Sequence, residues 1–175
     1  MSDYILVLVS AALVNHLALQ TDPVDRARVH ASGLCGALLI LLALPIGLLL
    51  PAANSDLQLL LFLPLLAALA WALPKLLGRW LPTWPLQGLQ PLLMGNAVVL
   101  GLLLQQASEP SDIGQTLLYG LVAGLGFWLA LALFADLRAR SRHPDLPRAL
   151  HGLPIELIGA GVMAMAFSGL NGLFT

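Results

Sequence analysis

Four polar residues stand inside or at the edge of long apolar runs: Asn15, His16, Asn96 and Glu156. Histidine and glutamate can take up and release protons. An ionisable side chain at membrane depth is by default a candidate for an ion or proton path. Asparagine carries no charge, but its amide offers both donors and an acceptor. In hydrocarbon those groups must find partners on neighbouring helices or on backbone freed where a helix breaks. Two readings of Asn15 and Asn96 follow. Either they make structural hydrogen bonds, contributing on the order of 0.6–2 kcal/mol each, or they organise backbone at the centre of an ion or cofactor path. Glu156 likewise either reaches water one turn into its helix or handles ions, alone or paired with His16.

These side chains need elements to position them, and the composition says of what kind. The chain of 175 residues is 59% hydrophobic and 10% charged, whereas soluble domains carry about 25% charged residues. Lipid must therefore solvate most of the exterior. Charged residues divide the chain into six apolar windows: Tyr4–Thr21, Val29–Ser55, Leu57–Pro74, Trp80–Ser108, Ile113–Ala135 and Leu157–Thr175. A spanning helix needs about 20 residues, so each window holds one span and none holds two. All eight Lys and Arg residues fall in alternate breaks: Arg26 and Arg28, then Lys75 and Arg79, then Arg138, Arg140, Arg142 and Arg148. Basic loops stay on the cytoplasmic side. This predicts a multi-pass protein of a bacterial inner membrane with both termini on the outer, periplasmic side. His16 and Glu156 then both lie in the cytoplasmic half. The N-terminus has no positive n-region and no small-residue cleavage site, which predicts a retained first span. No basic stripe is interleaved with aromatics, so nucleic acid is not an expected partner.

Two spans depart from the pattern. The apolar run Tyr4–Leu19 covers only about 24 Å at about 1.5 Å per residue, against a hydrocarbon core of about 30 Å. The fourth window carries Pro82, Pro85, Gly88, Pro91 and Gly95 before its apolar run resumes at Val98. These two spans open the halves of a single transmembrane domain, about residues 1–77 and 78–175. Three crossings per half invert one half relative to the other. Short or Gly/Pro-interrupted spans at matching positions of inverted halves mark broken helices around a midplane site. Val14-Asn15-His16-Leu17-Ala18-Leu19 also resembles Gly95-Asn96-Ala97-Val98-Val99-Leu100. The expected fold is an all-α integral membrane protein of six transmembrane helices in two inverted three-helix repeats. The first and fourth helices are short or broken, and Asn15 and Asn96 approach each other near the midplane.

Other features read as packing. Gly120, Gly124 and Gly126 in the fifth span, and Gly159, Gly161, Ala164 and Gly169 in the sixth, are small residues that let membrane helices approach closely. Trp71, Trp80 and Trp84 read as interfacial anchors. Cys35 reads as a small packing residue, and a single cysteine cannot by itself hold a zinc ion or an iron–sulfur cluster. The nucleotide-binding loop, the zinc-protease helix motif and the nucleophile elbow are all missing from the sequence.

Several segments together resemble a known family. They are the opening Met1–Leu19 with Val14-Asn15-His16, the segment Pro91–Gly101, the fifth span from Leu117 to Arg140, and the closing Leu146–Phe174. The chain resembles the membrane subunits of the Rnf and Nqr ion-translocating electron-transport complexes, specifically the one lettered A in Rnf and its counterpart lettered E in Nqr. The resemblance implies six helices in inverted repeats, a paired homologous membrane subunit, and a two-iron, two-sulfur cluster between the two near the midplane. It places one cysteine after each Asn motif. At those positions this chain has Asp22 and Ala97. Iron–sulfur clusters are held by Cys thiolates, so the expectation is that this chain alone binds no cluster. The expected role is a non-catalytic membrane subunit of an Rnf-type, redox-driven ion translocase, with the other complex subunits and the lipid bilayer as partners. The alternatives are a cluster-less paralogue that scaffolds or regulates, and a small independent transporter.

Overall fold

The computed structural model describes residues 26–50, 55–82, 84–86, 88–108, 112–141, 147 and 152–171. The first span, with Asn15, His16 and Asp22, lies outside the described residues. Among the described residues all regular structure is helical: α1 (Arg26–Leu48), α2 (Ser55–Trp80), α3 (Gln90–Met94), α4 (Ala97–Ser108), α5 (Ile113–Ser141) and α6 (Leu153–Asn171). Three stretches are long and apolar enough to cross a membrane: α1, Leu60–Trp80 within α2, and α5. In α6 the apolar part is the shorter Pro154–Phe167.

The helices run further than the uncharged windows. α1 begins at Arg26 and α5 continues past Ala135 to Ser141. A charge marks where water is reached and does not end the backbone ladder. Basic side chains also suit a helix C-terminus, where carbonyls carry partial negative charge, and Arg138 and Arg140 fall in the last turn of α5. α2 stays helical through Pro64 and Pro74. Proline is tolerated there because neighbouring helices and local adjustment satisfy the freed carbonyls.

The tightest contact in the bundle joins α1 and α5. A Cβ placed on Gly124 would lie 2.7 Å from the Ala37 carbonyl oxygen. No larger residue fits there while the two backbones keep their places. One turn away, Gly120 faces Leu41 and Ile40. Phe127 lies over Gly36, and Trp128 lies over Gly33. Residue numbers rise along α5 as they fall along α1, so the two helices are antiparallel. The small-residue stripe of the fifth span is thus an intramolecular seam. A Cβ on Gly126, Gly161 or Gly169 would meet nothing, and those glycines take no part in it. Cys35 is fully buried in this core with Leu39, Ile40, Phe127 and Leu131.

α4 packs on α1 and α2, α3 on α2 and α1, and α6 on α5. The two ends of the bundle are distinguished by side chains. Arg26 Nη2 lies 3.5 Å from Asp136 Oδ1, which sets the start of α1 beside the end of α5. At the opposite end, Gln106 Nε2 donates to Thr116 Oγ1 at 2.8 Å and ties the last turns of α4 to the start of α5. The outer faces of α5 and α6 are apolar, with Leu118, Val122, Leu157 and Met165 all more than half exposed. A surface of that composition suits lipid or another subunit better than water.

Candidate functional site

The fourth apolar window is broken where its sequence is rich in glycine and proline. α3 has Pro91 in its first turn, where the missing N–H costs nothing, and it ends at Met94. Its last turn closes by Gly95 N–H to Pro91 O at 3.0 Å and Asn96 N–H to Leu93 O at 3.3 Å. A new helix, α4, then starts at Ala97. Asn96 makes that start possible. Its Oδ1 accepts the Val98 N–H at 3.1 Å, satisfying one of the N–H groups that a helix N-terminus leaves unpaired. The side chain is buried, and among the described residues its Nδ2 has no hydrogen-bond partner. The amide is therefore half used. One group builds the break and the other is a buried donor without an acceptor.

Asn96→Ala will uncap α4 and lower stability by about 1 kcal/mol. Asn96→Ser keeps a capping oxygen and loses only the Nδ2 donor, so it will unfold close to the parent temperature in detergent. An Ala variant as stable as the Ser variant would contradict this role for the cap.

Ala97, directly after Asn96, is exposed beside the exposed Gly95 and Met94. The break thus presents a small apolar patch on the outside of the subunit. No ligating atom stands at that position. Among the described residues no three His, Cys, Asp or Glu side chains group as metal ligands. Cys35 is enclosed within α1 and its neighbours. The donor set that a two-iron, two-sulfur cluster requires is not met by these residues. α4 has 12 residues, a rise of about 18 Å, and its far end is the one tied to Thr116.

Glu156 lies elsewhere, at the other end of the bundle, and its surroundings differ from the solvated reading. It is 8% exposed, in the first turn of α6. Its Oε1 is 2.5 Å from Nε of Arg138, whose side chain is equally buried. The Arg138 N–H is not aligned on that oxygen as a hydrogen bond, so the contact is an ion pair by proximity. Arg138 ends α5 and Glu156 begins α6, so each charge also meets the favourable end of its own helix dipole. Glu156 thus does not reach water, because a cation on the adjoining helix encloses it. A His16–Glu156 pair cannot be placed, since His16 lies outside the described residues.

Arg138 is the residue that a count of charged loops misses. A signal for it was present. Phe127, Leu131, Phe134, Ala135 and Arg138 fall on the buried face of α5, and continuing the helical period through the first charge reaches Arg138. A second basic contact was also not legible. Gly88 holds φ +78° in the loop before α3, with the Arg28 guanidinium 3.3 Å from where its Cβ would be. A side chain there would meet both backbone strain and that guanidinium.

The family described as Rnf-Nqr subunit, membrane protein, matches residues 5–174. In Pasteurella multocida, the A-lettered subunit of the ion-translocating oxidoreductase complex is 32% identical over 190 residues, covering 99% of this chain and 99% of that one. Its counterpart in Actinobacillus pleuropneumoniae serotype 5b, of the same name, is 33% identical over 190 residues, covering 99% of this chain and 98% of that one. A third of that name, from Glaesserella parasuis, is 42% identical over 102 residues, or 58% of this chain and 48% of that one. With a match running almost from end to end and a discontinuous helix at its centre, the chain belongs to the Rnf-Nqr family of membrane subunits.

Proposed function

We propose that this chain is a membrane subunit of an Rnf-type ion-translocating oxidoreductase complex, and that it contributes structure to the membrane core without carrying electrons itself. The observation that carries membership is the end-to-end alignment with relatives named as subunits of such a complex. The fold proposed for the whole chain is six spans in two inverted repeats, about residues 1–77 and 78–175. The break between α3 and α4 supports it, since it falls in the span that opens the second repeat. The rise of about 18 Å through α4 is somewhat over half the hydrocarbon thickness of about 30 Å. That depth supports an Asn96 near the midplane, where its spare Nδ2 would meet an acceptor from the opposing repeat or from a partner.

The basic residues at one end of the bundle support an orientation with that end in the cytoplasm and both termini in the periplasm of an inner membrane. Thiol labelling of a Ser2→Cys variant in intact cells tests this. Labelling that requires a permeable membrane would contradict it.

The observation that favours a scaffolding role over electron carriage is Ala97, an exposed methyl at the position where the family resemblance implies a thiolate. The partner expected at the exposed break is a homologous membrane subunit. Purification through a tag on this chain should bring that partner down in equal amount. Recovery of the chain alone, monodisperse and stable, would favour an independent transporter instead.

A further inference from the structure

We propose that the C-terminal third of α2 is a docking site for an anionic phospholipid headgroup, held by Lys75 and Arg79 between Trp71 and Trp80. The first reason is charge. From Leu57 to Ser108 the sequence contains no Asp or Glu. Among the described residues the ion pairs are Arg26–Asp136 and Arg138–Glu156, and neither involves Lys75 or Arg79. Both cations are exposed on α2, and among the described residues no carboxylate pairs with either.

The second reason is geometry. Trp71, Lys75 and Arg79 are spaced by four, so they stack on one face of the helix. The Lys75 Nζ lies 3.5 Å from the centroid of the Trp71 ring, a cation–π contact. Trp71 is 52% exposed and Trp80 82% exposed. Arg79, in the last turn, could serve only to complement the helix carbonyls. Lys75 cannot, because its side chain turns back toward the N-terminus onto Trp71 and away from those carbonyls. The ring covers one side of the ammonium and leaves its other donors facing outward.

The third reason is depth. The uncharged run Leu57–Pro74 rises about 27 Å, close to a hydrocarbon thickness of about 30 Å. Lys75 therefore emerges where lipid phosphates lie and where tryptophan is enriched. Below it the same exposed side of α2 continues through Leu63 and Leu60, an apolar track along which acyl chains can lie. An acidic protein segment would match the charges but would leave that track uncovered, so the lipid is the occupant that fits both parts.

The test is native mass spectrometry of the full chain in mild detergent, titrated with phosphatidylglycerol or with phosphatidylethanolamine. The parent should retain phosphatidylglycerol preferentially. A Lys75→Gln, Arg79→Gln double variant should lose that preference by about tenfold or more. Lys75→Arg should keep it, which separates loss of charge from loss of fold. Equal retention of the two lipids by the parent would overturn the proposal, as would a preference that survives the double substitution. So would a Lys75 that crosslinks to a carboxylate of another protein in the purified complex and binds no phosphatidylglycerol there.

Discussion

Glu156→Gln will destabilise the chain by about 3–5 kcal/mol, the usual cost of removing one partner from a buried ion pair. The substitution changes almost no volume. It leaves the Arg138 guanidinium enclosed, with its charge unmatched. Arginine cannot shed its proton to escape that state. Arg138→Gln will cost less, because a carboxyl group left alone can bind a proton and become neutral. Replacing both residues with apolar ones of similar size, Arg138→Met with Glu156→Leu, will restore most of the loss, since both desolvation costs vanish together. Thermal unfolding in detergent, followed by loss of monodispersity, reads the three variants in one experiment. A Glu156→Gln chain as stable as the parent would mean that the pair does not hold α5 to α6.

Ala97→Cys will give an accessible thiol and no iron–sulfur centre. The position is exposed at the start of α4, while the native Cys35 is 0% exposed. In the detergent-solubilised chain a maleimide should label the variant fully and leave the parent unlabelled. In the assembled complex the proposed partner covers the break, and labelling of Cys at that position should fall by at least tenfold. No added iron should bind, because one thiolate leaves most of a four-thiolate set unfilled. Equal labelling in the free chain and in the complex would remove the break from the interface with the partner.

How much of this could be read from the chain depends on the direction of the information. Charge and apolar length report depth along the membrane normal. They located the three stretches that are long and apolar enough to cross a membrane, and Pro91 with Gly95 located the break before Ala97. The stripe Gly120–Gly124 announced a close helix contact. It did not say that Ala37 and Leu41 form the other side, because small residues permit an approach without choosing the partner. Lateral neighbours stayed hidden for the same reason. Arg138 looked like one more arginine in a basic loop, and Glu156 stood between a solvated and an ion-handling reading with no sign of its arginine partner. Only packing α6 against α5 joins two charges that lie far apart in the sequence. The two roles of the Asn96 amide were left as alternatives. The cap explains its oxygen, and its buried Nδ2 keeps the second role open for a partner. Asn15, His16 and Asp22 lie outside the described residues, so their half of the proposed symmetric centre rests on the sequence.

The central claim is that this family member supplies no cluster ligands to the membrane core. The most direct measurement is iron and acid-labile sulfide bound per chain, on material purified in detergent through this chain alone and compared with the Asp22→Ala variant. Neither iron nor sulfide should rise above background in either preparation. Two irons and two sulfides per pair of chains, lost on Asp22→Ala, would contradict the claim and make Asp22 a ligand.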